Sequence, residues 1–249
     1  MTRVRTGVLI PVRGFPRYLT ETLDAVLAQG PDEVVVVDDG SFDPIRSERV
    51  RVVRRDAHGG PAAARATGLE ALGDVDVVAL CDADDTWEHA SLSALVDGLQ
   101  SEPRAAMAFG RALVVGPDGR PNGERWREPR AGLHLPAAFY AHNPIPTSCT
   151  ALRRSALEEA GGFAAPDLVT EDWDLWLRMR GPLLCVPGAR VRYRRNPDGL
   201  TADVERLARA QLALHRRHAK LVDEGQARAA QDRDQRALRR ARLRRAVSV

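Results

Sequence analysis

The order of apolar segments in the first half of the chain is the feature that most limits its fold. Short apolar runs, several rich in β-branched residues, alternate with segments whose apolar residues recur at helical spacing. The apolar runs cover residues 7–12, 33–37, 50–53 and 76–81, and the helical segments cover residues 17–29, 61–72 and 90–99. Strands that alternate with helices predict an α/β fold, a mostly parallel sheet with helices on both faces.

The second half of the chain has a different pattern of apolar segments. An apolar segment at 105–115 ends at Pro117-Asp118-Gly119, a turn signal that predicts a hairpin, and residues 116–132 are typical of a loop. Later patterns predict strands at 147–152, 183–186 and 190–194 and a short helix at 171–180. We expect one domain over residues 1–204, with halves 1–115 and 116–204, followed by a basic helical tail at 205–249.

Composition excludes several classes of protein. Apolar residues make up 44% and charged residues 29% of the 249 positions, but no apolar run approaches the ~20 residues of a membrane-spanning helix. The apolar stretch near the start is too short for a signal peptide. Three cysteines, Cys81, Cys149 and Cys185, cannot form a disulfide framework, which favours a reduced, cytoplasmic compartment.

The tail differs from the rest of the chain in charge. Residues 205–249 carry a net charge of +8, whereas residues 1–204 carry −5. Three interpretations stay open: a helix packed partly on the body with a frayed end from about Gln226, docking on an anionic membrane, or packing against a partner protein. His215 and His218 share a helix face without a third ligand and are predicted to be solvated. Nucleic acid is not an expected partner, because the basic stretch lacks interleaved aromatic residues.

Carboxylates follow two of the predicted strands. Asp38 and Asp39 end one strand, where they suit a base N–H or ribose hydroxyls, although a polar turn explains them equally well. Asp82, Asp84 and Asp85 end another and repel one another. A divalent cation such as Mg²⁺ or Mn²⁺, shared with a diphosphate, would relieve that repulsion; the alternative is a solvated acidic turn.

Two helix starts are further candidates. Gly59-Gly60-Pro61 permits close backbone approach, and Arg65 lies one turn later, either against a nucleotide or simply on the surface. The helix dipole favours ionised acids in the first turn of the segment at 171–180, which suits a general base but also explains the acids without one. Trp173 and Trp176 either stack on a sugar or are buried.

Taken together, these segments resemble the family 2 glycosyltransferases, inverting enzymes of the GT-A fold. The resemblance runs from Val8 to about Thr201. Its segments, in chain order, are Leu9-Ile10-Pro11-Val12, Val36-Val37-Asp38-Asp39-Gly40-Ser41, Gly60-Pro61-Ala62-Ala63-Ala64-Arg65, Asp82-Ala83-Asp84-Asp85, Arg153-Arg154-Ser155, Gly161-Gly162-Phe163, Glu171-Asp172, Tyr193-Arg194-Arg195-Asn196 and Leu200-Thr201. Asn196 stands where the family often has a histidine.

The resemblance implies an inverting, metal-dependent transfer of a sugar from a nucleotide-diphospho-sugar, a UDP-sugar by preference, to an acceptor hydroxyl. The implied donor-site residues are Pro11, Val12, Asp38, Asp39, Arg65, Asp82, Ala83 and Asp84, with Asp84 and Asp82 holding Mn²⁺ or Mg²⁺. It implies Asp172 as general base beside Glu171, and acceptor contacts at Trp173, Trp176 and residues 116–150.

Two alternatives remain at this point. One is a catalytically inactive module that only binds a sugar nucleotide. The other is a haloacid-dehalogenase-type phosphatase, because Asp82-x-Asp84-x-Thr86 after an apolar strand fits the first motif of that class, with Asp82 as the nucleophile.

Overall fold

The computed structural model describes residues 3–14, 17–164, 169–196, 199 and 203–247. Its strands are β1 (Thr6–Val12), β2 (Glu33–Asp38), β3 (Arg51–Arg54), β4 (Val77–Leu80), β5 (Thr86–Trp87), β6 (Met107–Val115), β7 (Gly132–His134), β8 (Thr150–Arg153) and β9 (Leu183–Arg194). Its α-helices are α1 (Leu19–Leu27), α2 (Gly60–Ala71), α3 (Ser91–Ser101), α4 (Arg154–Glu159), α5 (Glu171–Arg178), α6 (Val204–Arg217) and α7 (Glu224–Val247).

The strands form a single sheet in the order β3-β2-β1-β4-β8-β6-β9-β5, with β7 added beside β9. β1, β2, β3 and β4 run parallel to one another, whereas β8 lies antiparallel between β4 and β6. The carboxyl ends of β1, β2 and β4 therefore meet at one edge of the sheet. The predicted α/β fold with a mostly parallel central sheet is confirmed.

Burial on both faces explains the continuous apolar runs of the central strands. In β1, Val8 and Ile10 pack in a cluster with apolar residues of α1 and α3. Leu9 points to the other face, into a cluster with residues of α2, α4 and α5. A parallel sheet covered by helices on both faces needs apolar side chains at every position, not at alternate ones.

The second half contains two departures from the predicted elements. The turn after β6 forms, but only a single bridge between Val115 and Pro121 follows it, and no second hairpin strand continues from it within the described residues. The two short strands predicted at 183–186 and 190–194 are one strand, β9. The register between β6 and β9 shifts between Phe109 and Arg111, so Pro187-Gly188 is accommodated as a bulge instead of ending the strand.

The tail packs on the body, and the prediction that its two histidines are solvated is wrong. His215 is fully buried: its Nδ1 bonds to Asp234 and its Nε2 lies 2.7 Å from the carbonyl oxygen of Tyr140. The Nε2 of His218 lies 2.9 Å from Asp174 Oδ1. Neither histidine is solvated, because tertiary partners satisfy both of them, which helical spacing alone does not show.

The helix α7 also continues through the residues predicted to fray from about Gln226. Its Ala227, Ala230 and Asp234 are buried, and Ala230 joins a small cluster with Trp173 and Leu214. Docking of the remaining exposed part on a membrane or a protein partner stays a prediction. The three cysteines are free and buried. None of the helices described by the structure combines the length and the apolar character required to cross a bilayer.

Removing residues 226–249 should destabilise the protein more than removing residues 236–249. The longer deletion takes away Asp234 and leaves a nitrogen of the buried His215 without its partner, at a cost of about 1–3 kcal/mol. For a domain of this size that corresponds to a fall in Tm of roughly 2–12 °C. Thermal unfolding of the two truncated chains measures the difference, and equal Tm values would contradict the packing described here.

Candidate functional site

The carboxyl edge of the parallel strands collects most of the residues that the sequence singles out. Val12 at the end of β1 pairs with Asp38 at the end of β2, and the Asp39 amide donates to the Val12 carbonyl over 2.8 Å. The Asp82-Ala83-Asp84 segment follows β4, the other neighbour of β1. The register of three parallel strands therefore places these residues side by side.

Asp38 is fully buried and is bound by the loop that follows it. Its carboxylate accepts hydrogen bonds from the Ser41 amide at 2.9 Å, the Ile45 amide at 3.2 Å and Arg54 Nη1 at 2.7 Å. Burial opposes its charge, but the hydrogen bonds from Ser41 and Ile45 and the charge of Arg54 lower the pKa of Asp38. Asp38 thus shapes the loop after β2; its direct contact with a nucleoside stays a prediction.

Asp39 organises the loop before α2. Its carboxylate accepts from the amides of Gly59 and Gly60 at 3.0 and 2.8 Å and pairs with Arg55 and His58. Gly60 has a φ of +83°, a conformation in which a residue with a side chain would be strained. These contacts fix where α2 starts, and so they fix the position of Arg65 one turn later.

Arg65 joins two acidic motifs that lie far apart in the sequence. Its Nη2 is 2.7 Å from Asp82 Oδ1 and its Nη1 is 2.7 Å from Glu171 Oε1. The guanidinium is buried, with only 3% of its side chain exposed. Gly68, one turn further along α2, allows the helix to pack closely on β1, because a Cβ at this position would lie 2.9 Å from the Leu9 side chain. Arg65 therefore links the strand-end acids to the start of α5.

Asp82 and Asp84 form the open part of the acidic cluster. The Asp82 side chain remains 32% exposed beside Arg65. Desolvation and the nearby Asp82 charge raise the pKa of Asp84 to about 6. Between them, Ala83 accepts a hydrogen bond from the Thr22 hydroxyl through its carbonyl, which ties this loop to α1.

Asp85 has a structural role that the sequence did not assign. It is buried, and its two carboxylate oxygens accept from the Ser148 hydroxyl and the Arg194 amide. Burial, together with Asp84 and Asp82, raises the pKa of Asp85 well above its usual value. Because Asp85 is only 1% exposed and holds Ser148 and the Arg194 backbone in place, its role in the described structure is to support the acidic loop.

Arg194 lies in one of the segments that carry the family resemblance, but the sequence did not show its structural role. Its side chain donates to the carbonyls of Asp84 and Pro117, pairs with Glu21 at 2.8 Å and lies over the Tyr18 ring. It thereby holds together the acidic loop, α1 and the turn after β6. Asn196, two residues later, is exposed, and Leu200 and Thr201 lie outside the described residues.

Asp172 is held at the start of α5 by neighbours that the sequence did not single out. Its Oδ2 accepts from the Thr147 hydroxyl at 2.6 Å and from Asn143 Nδ2 at 3.2 Å, and its Oδ1 accepts from the Trp173 amide at 2.7 Å. Burial raises the pKa of Asp172. The only sequence signal for Asn143 and Thr147 was their position within residues 116–150, the range predicted to contact the acceptor.

Glu171 differs from Asp172 in its surroundings. It is buried against Arg65, and burial raises the pKa of Glu171 to about 7 in spite of that partner. Its carboxylate is thus committed to the buried ion pair, whereas the Asp172 carboxylate is half-buried and faces the loop that carries Asn143 and Thr147.

The predicted acceptor contacts at Trp173 and Trp176 do not fit the structure. Trp176 is fully buried in the core beside α2, and Trp173 is 4% exposed. Trp173 packs against His215 of the tail and donates its indole N–H to the Phe139 carbonyl. Both rings are buried where α5 packs against the rest of the protein, so neither presents a face on which a sugar could stack.

This chain is similar in sequence to proteins of one family. The Glycosyl transferase family 2 model matches residues 7–161. A pre-mycofactocin glycosyltransferase of Mycobacterium tuberculosis (strain ATCC 25618 / H37Rv) is 32% identical over 199 residues, which are 75% of this chain and 40% of that protein. The chain therefore spans less than half the length of this relative. The succinoglycan biosynthesis protein ExoW of Rhizobium meliloti is 40% identical over 85 residues, covering 29% of this chain and 26% of ExoW.

Solved structures show the same fold at low sequence identity. The S. aureus TarS fragment 1–349 with UDP-GlcNAc has a TM-score of 0.68 at 14% identity, over 94% of this chain and 72% of that chain. The mannosyltransferase PcManGT from Pyrobaculum calidifontis has a TM-score of 0.67 at 19% identity, over 99% and 75%. The fold is that of the GT-A glycosyltransferases. Because the family model matches well over half of its length, this chain is a member of glycosyl transferase family 2.

Proposed function

We propose that this chain transfers a sugar from a nucleotide-diphospho-sugar to an acceptor hydroxyl in a single displacement, with Asp172 as general base. The observation that carries the proposal is the bridge through Arg65, which joins Asp82 to Glu171, the neighbour of Asp172. The acids that would hold a cation on the donor diphosphate and the acid that would take the proton of the acceptor hydroxyl thus lie at one edge of the sheet. Membership of family 2 supports the same reaction.

A nucleotide has room beside the ends of β1 and β2. A cavity of about 510 Å³ lies there, lined in part by Gly14, Leu19 and Ile45. Phe42, also in its lining, is 96% exposed, and an exposed aromatic ring offers a stacking surface to a base. TarS was solved with UDP-GlcNAc and PcManGT with GDP-Man and Mn²⁺, which supports a nucleotide-sugar donor here.

The acidic loop fits a divalent cation that completes its coordination with the donor. Within the described residues, no group of three or more histidine, cysteine or acidic side chains is placed to hold a metal ion. Asp84 and Asp82 nevertheless offer hard oxygen ligands. Burial first, and then the Asp82 charge, raise the pKa of Asp84, and a bound cation would offset both effects. Bound Mn²⁺ or Mg²⁺ would neutralise the charge that develops on the departing diphosphate.

The hydrogen bonds of Asp172 leave it able to accept one proton. An ionised carboxylate has about four acceptor positions, and Thr147, Asn143 and the Trp173 amide occupy three. The remaining position suits the acceptor hydroxyl, whose oxygen attacks the anomeric carbon as its proton moves to Asp172. The raised pKa of Asp172 makes it a stronger base than an exposed aspartate.

Replacing Asp84 by Asn should remove the metal-dependent part of nucleoside diphosphate binding. The substitution keeps the size of the side chain but removes the charge that attracts the cation. Titration of UDP and GDP with and without Mn²⁺ measures the effect. Asp74→Asn is the matched control, since Asp74 is an exposed acid just before the start of β4, whereas Asp84 follows the end of that strand. If Mn²⁺ still strengthens binding to the Asp84→Asn protein as it does for the unaltered chain, the metal assignment is wrong.

An inactive sugar-nucleotide-binding module is the second candidate that the same site allows. It predicts nucleotide binding without any release of nucleoside diphosphate from UDP-GlcNAc, UDP-glucose or GDP-mannose in the presence of Mn²⁺. The proposed enzyme releases nucleoside diphosphate from at least one of these donors. We do not propose the phosphatase alternative, because Asp82 is paired with the buried Arg65 and the chain belongs to family 2.

A further inference from the structure

A loop at residues 141–144 connects the proposed base to positively charged residues from two distant parts of the chain. Asn143 in this loop donates to Asp172. Trp126 Nε1 donates to the Pro144 carbonyl over 2.7 Å, which brings the segment after β6 to the loop. Arg233 Nη1 of α7 donates to the Ala141 carbonyl over 2.8 Å, which brings the tail to its other end.

These contacts bring Arg127, the neighbour of Trp126, and Arg233 to the loop that carries His142, and Asn143 of the same loop bonds to Asp172. His142 is exposed and interacts electrostatically with both arginines. Partial desolvation, together with Arg233 and Arg127, lowers the pKa of His142, so that its ring is neutral near pH 7 and can donate a hydrogen bond. The two guanidinium groups carry the positive charge of this patch.

The charge of the patch is only partly neutralised by the protein. Arg127 is exposed and has no ion-pair partner within the part of the chain that the structure describes. Arg233 pairs at 3.2 Å with Asp234, a carboxylate that also bonds to His215. The nearby Glu128 is paired with Arg111 on β6.

The patch continues along α7 away from the base. Arg236 and Arg240 are exposed and follow Arg233 at intervals of three and seven residues, which places them on one side of the helix. The basic tail thus adds positive charge next to the acceptor side of the site, and it is not only a solvated extension.

We propose that the acceptor carries an anionic group, a phosphate or a carboxylate, which Arg127 and Arg233 bind while Asp172 takes the proton of its hydroxyl. This inference rests on the proposed transferase function and adds the class of acceptor. Guanidinium groups suit this role because they form paired hydrogen bonds with the oxygens of phosphates and carboxylates. A neutral acceptor would leave the exposed charge of Arg127 without a counter-charge, because, of these two arginines, only Arg233 has an ion-pair partner among the described residues.

The test compares a neutral sugar with its charged counterparts. Glucose, glucuronate and glucose 6-phosphate are titrated calorimetrically into the full chain, alone and after saturation with UDP and Mn²⁺, which blocks the donor site. We expect glucose 6-phosphate and glucuronate to bind at least about tenfold more tightly than glucose. Because an exposed charge pair contributes modestly, each single substitution, Arg127→Gln or Arg233→Gln, should reduce the preference up to about fivefold, and the double substitution should abolish it.

Three controls separate this effect from others. Arg104→Gln removes one positive charge just before the start of β6, away from the patch, and should leave the preference intact. Arg233→Lys keeps the charge and should retain most of the preference. UDP should bind every variant equally. A chain that binds UDP but does not distinguish glucose 6-phosphate from glucose contradicts the inference, whereas a chain that binds neither UDP nor GDP contradicts the proposed function.

The source of the anion is tested with phosphatidylglycerol vesicles. One outcome is that the chain sediments with the vesicles, that the double substitution Arg236→Gln and Arg240→Gln reduces this binding, and that the chain shows no preference among the soluble sugars. This outcome would mean that the basic patch binds a membrane surface, and it would overturn the proposal. A preference for the soluble anionic sugars that survives in Arg127→Gln/Arg233→Gln would overturn it as well.

Discussion

Asp172→Asn is expected to lower kcat by about 10²-fold or more while UDP still binds and the chain still folds. The amide is nearly isosteric with the carboxylate, but it cannot take a proton from the acceptor hydroxyl, and general-base assistance is typically worth ~10²–10⁴-fold. Steady-state release of nucleoside diphosphate measures kcat, or donor hydrolysis where no acceptor is found. A residue that only positions the acceptor would raise KM at similar kcat.

Glu171→Gln is the comparison that tests the choice between the two neighbouring acids. Glu171 is committed to Arg65, so its substitution should act mainly on stability and on the position of α5. If Glu171→Gln loses kcat while Asp172→Asn keeps it, the base is Glu171. If both variants keep kcat, the single-displacement mechanism proposed for this helix is wrong.

Arg65→Met is expected to produce the largest loss of stability. It removes the cation between two carboxylates, of which Glu171 is buried, and breaking a buried ion pair by removing one partner costs about 3–5 kcal/mol. Urea denaturation measures the free energy of unfolding. Arg104→Met is the matched control: its partner Glu102 lies on the surface, and exposed pairs contribute about 0–1 kcal/mol.

The double variant Arg65→Met/Glu171→Gln separates the ion pair from simple packing. Removing the Glu171 charge as well should recover part of the lost stability, because no buried carboxylate is then left without a partner. Arg65→Lys should recover less than full stability, since one ammonium group cannot bridge two carboxylates as the forked guanidinium does. If the double variant is as unstable as the two single losses added together, Arg65 stabilises the fold through packing alone.

The sequence predicted the sheet and the edge that carries the site for a local reason. Continuous apolar runs such as Val34–Val37 report burial on both faces, and polar residues that follow such runs must lie at the carboxyl ends of the strands. This logic located Asp38, Asp82 and Asp84 without any knowledge of long-range contacts.

The partners of those residues depend on long-range packing, and the sequence could not show them. Arg65 and Glu171 are 106 positions apart, and Asp85 and the Arg194 amide are 109 apart. Trp173 looked like a sugar-stacking residue because the tail that covers it, through His215, could not be placed from the pattern of α6 and α7. The sequence predicted only a loop at residues 116–132, and its pattern did not show that Arg127 lies beside the loop whose Asn143 bonds to Asp172.

The anomeric configuration of the first-formed product tests the central claim most directly. The chain is incubated with Mn²⁺ and a donor that it turns over, and the anomeric proton of the transferred sugar, or of the hydrolysed donor before mutarotation, is followed by ¹H NMR. Attack from the face opposite the diphosphate predicts a product of inverted configuration, β from an α-linked donor, at a rate that falls by about 10²-fold or more in Asp172→Asn. A product that retains the configuration of the donor would contradict the single displacement and the role given to Asp172.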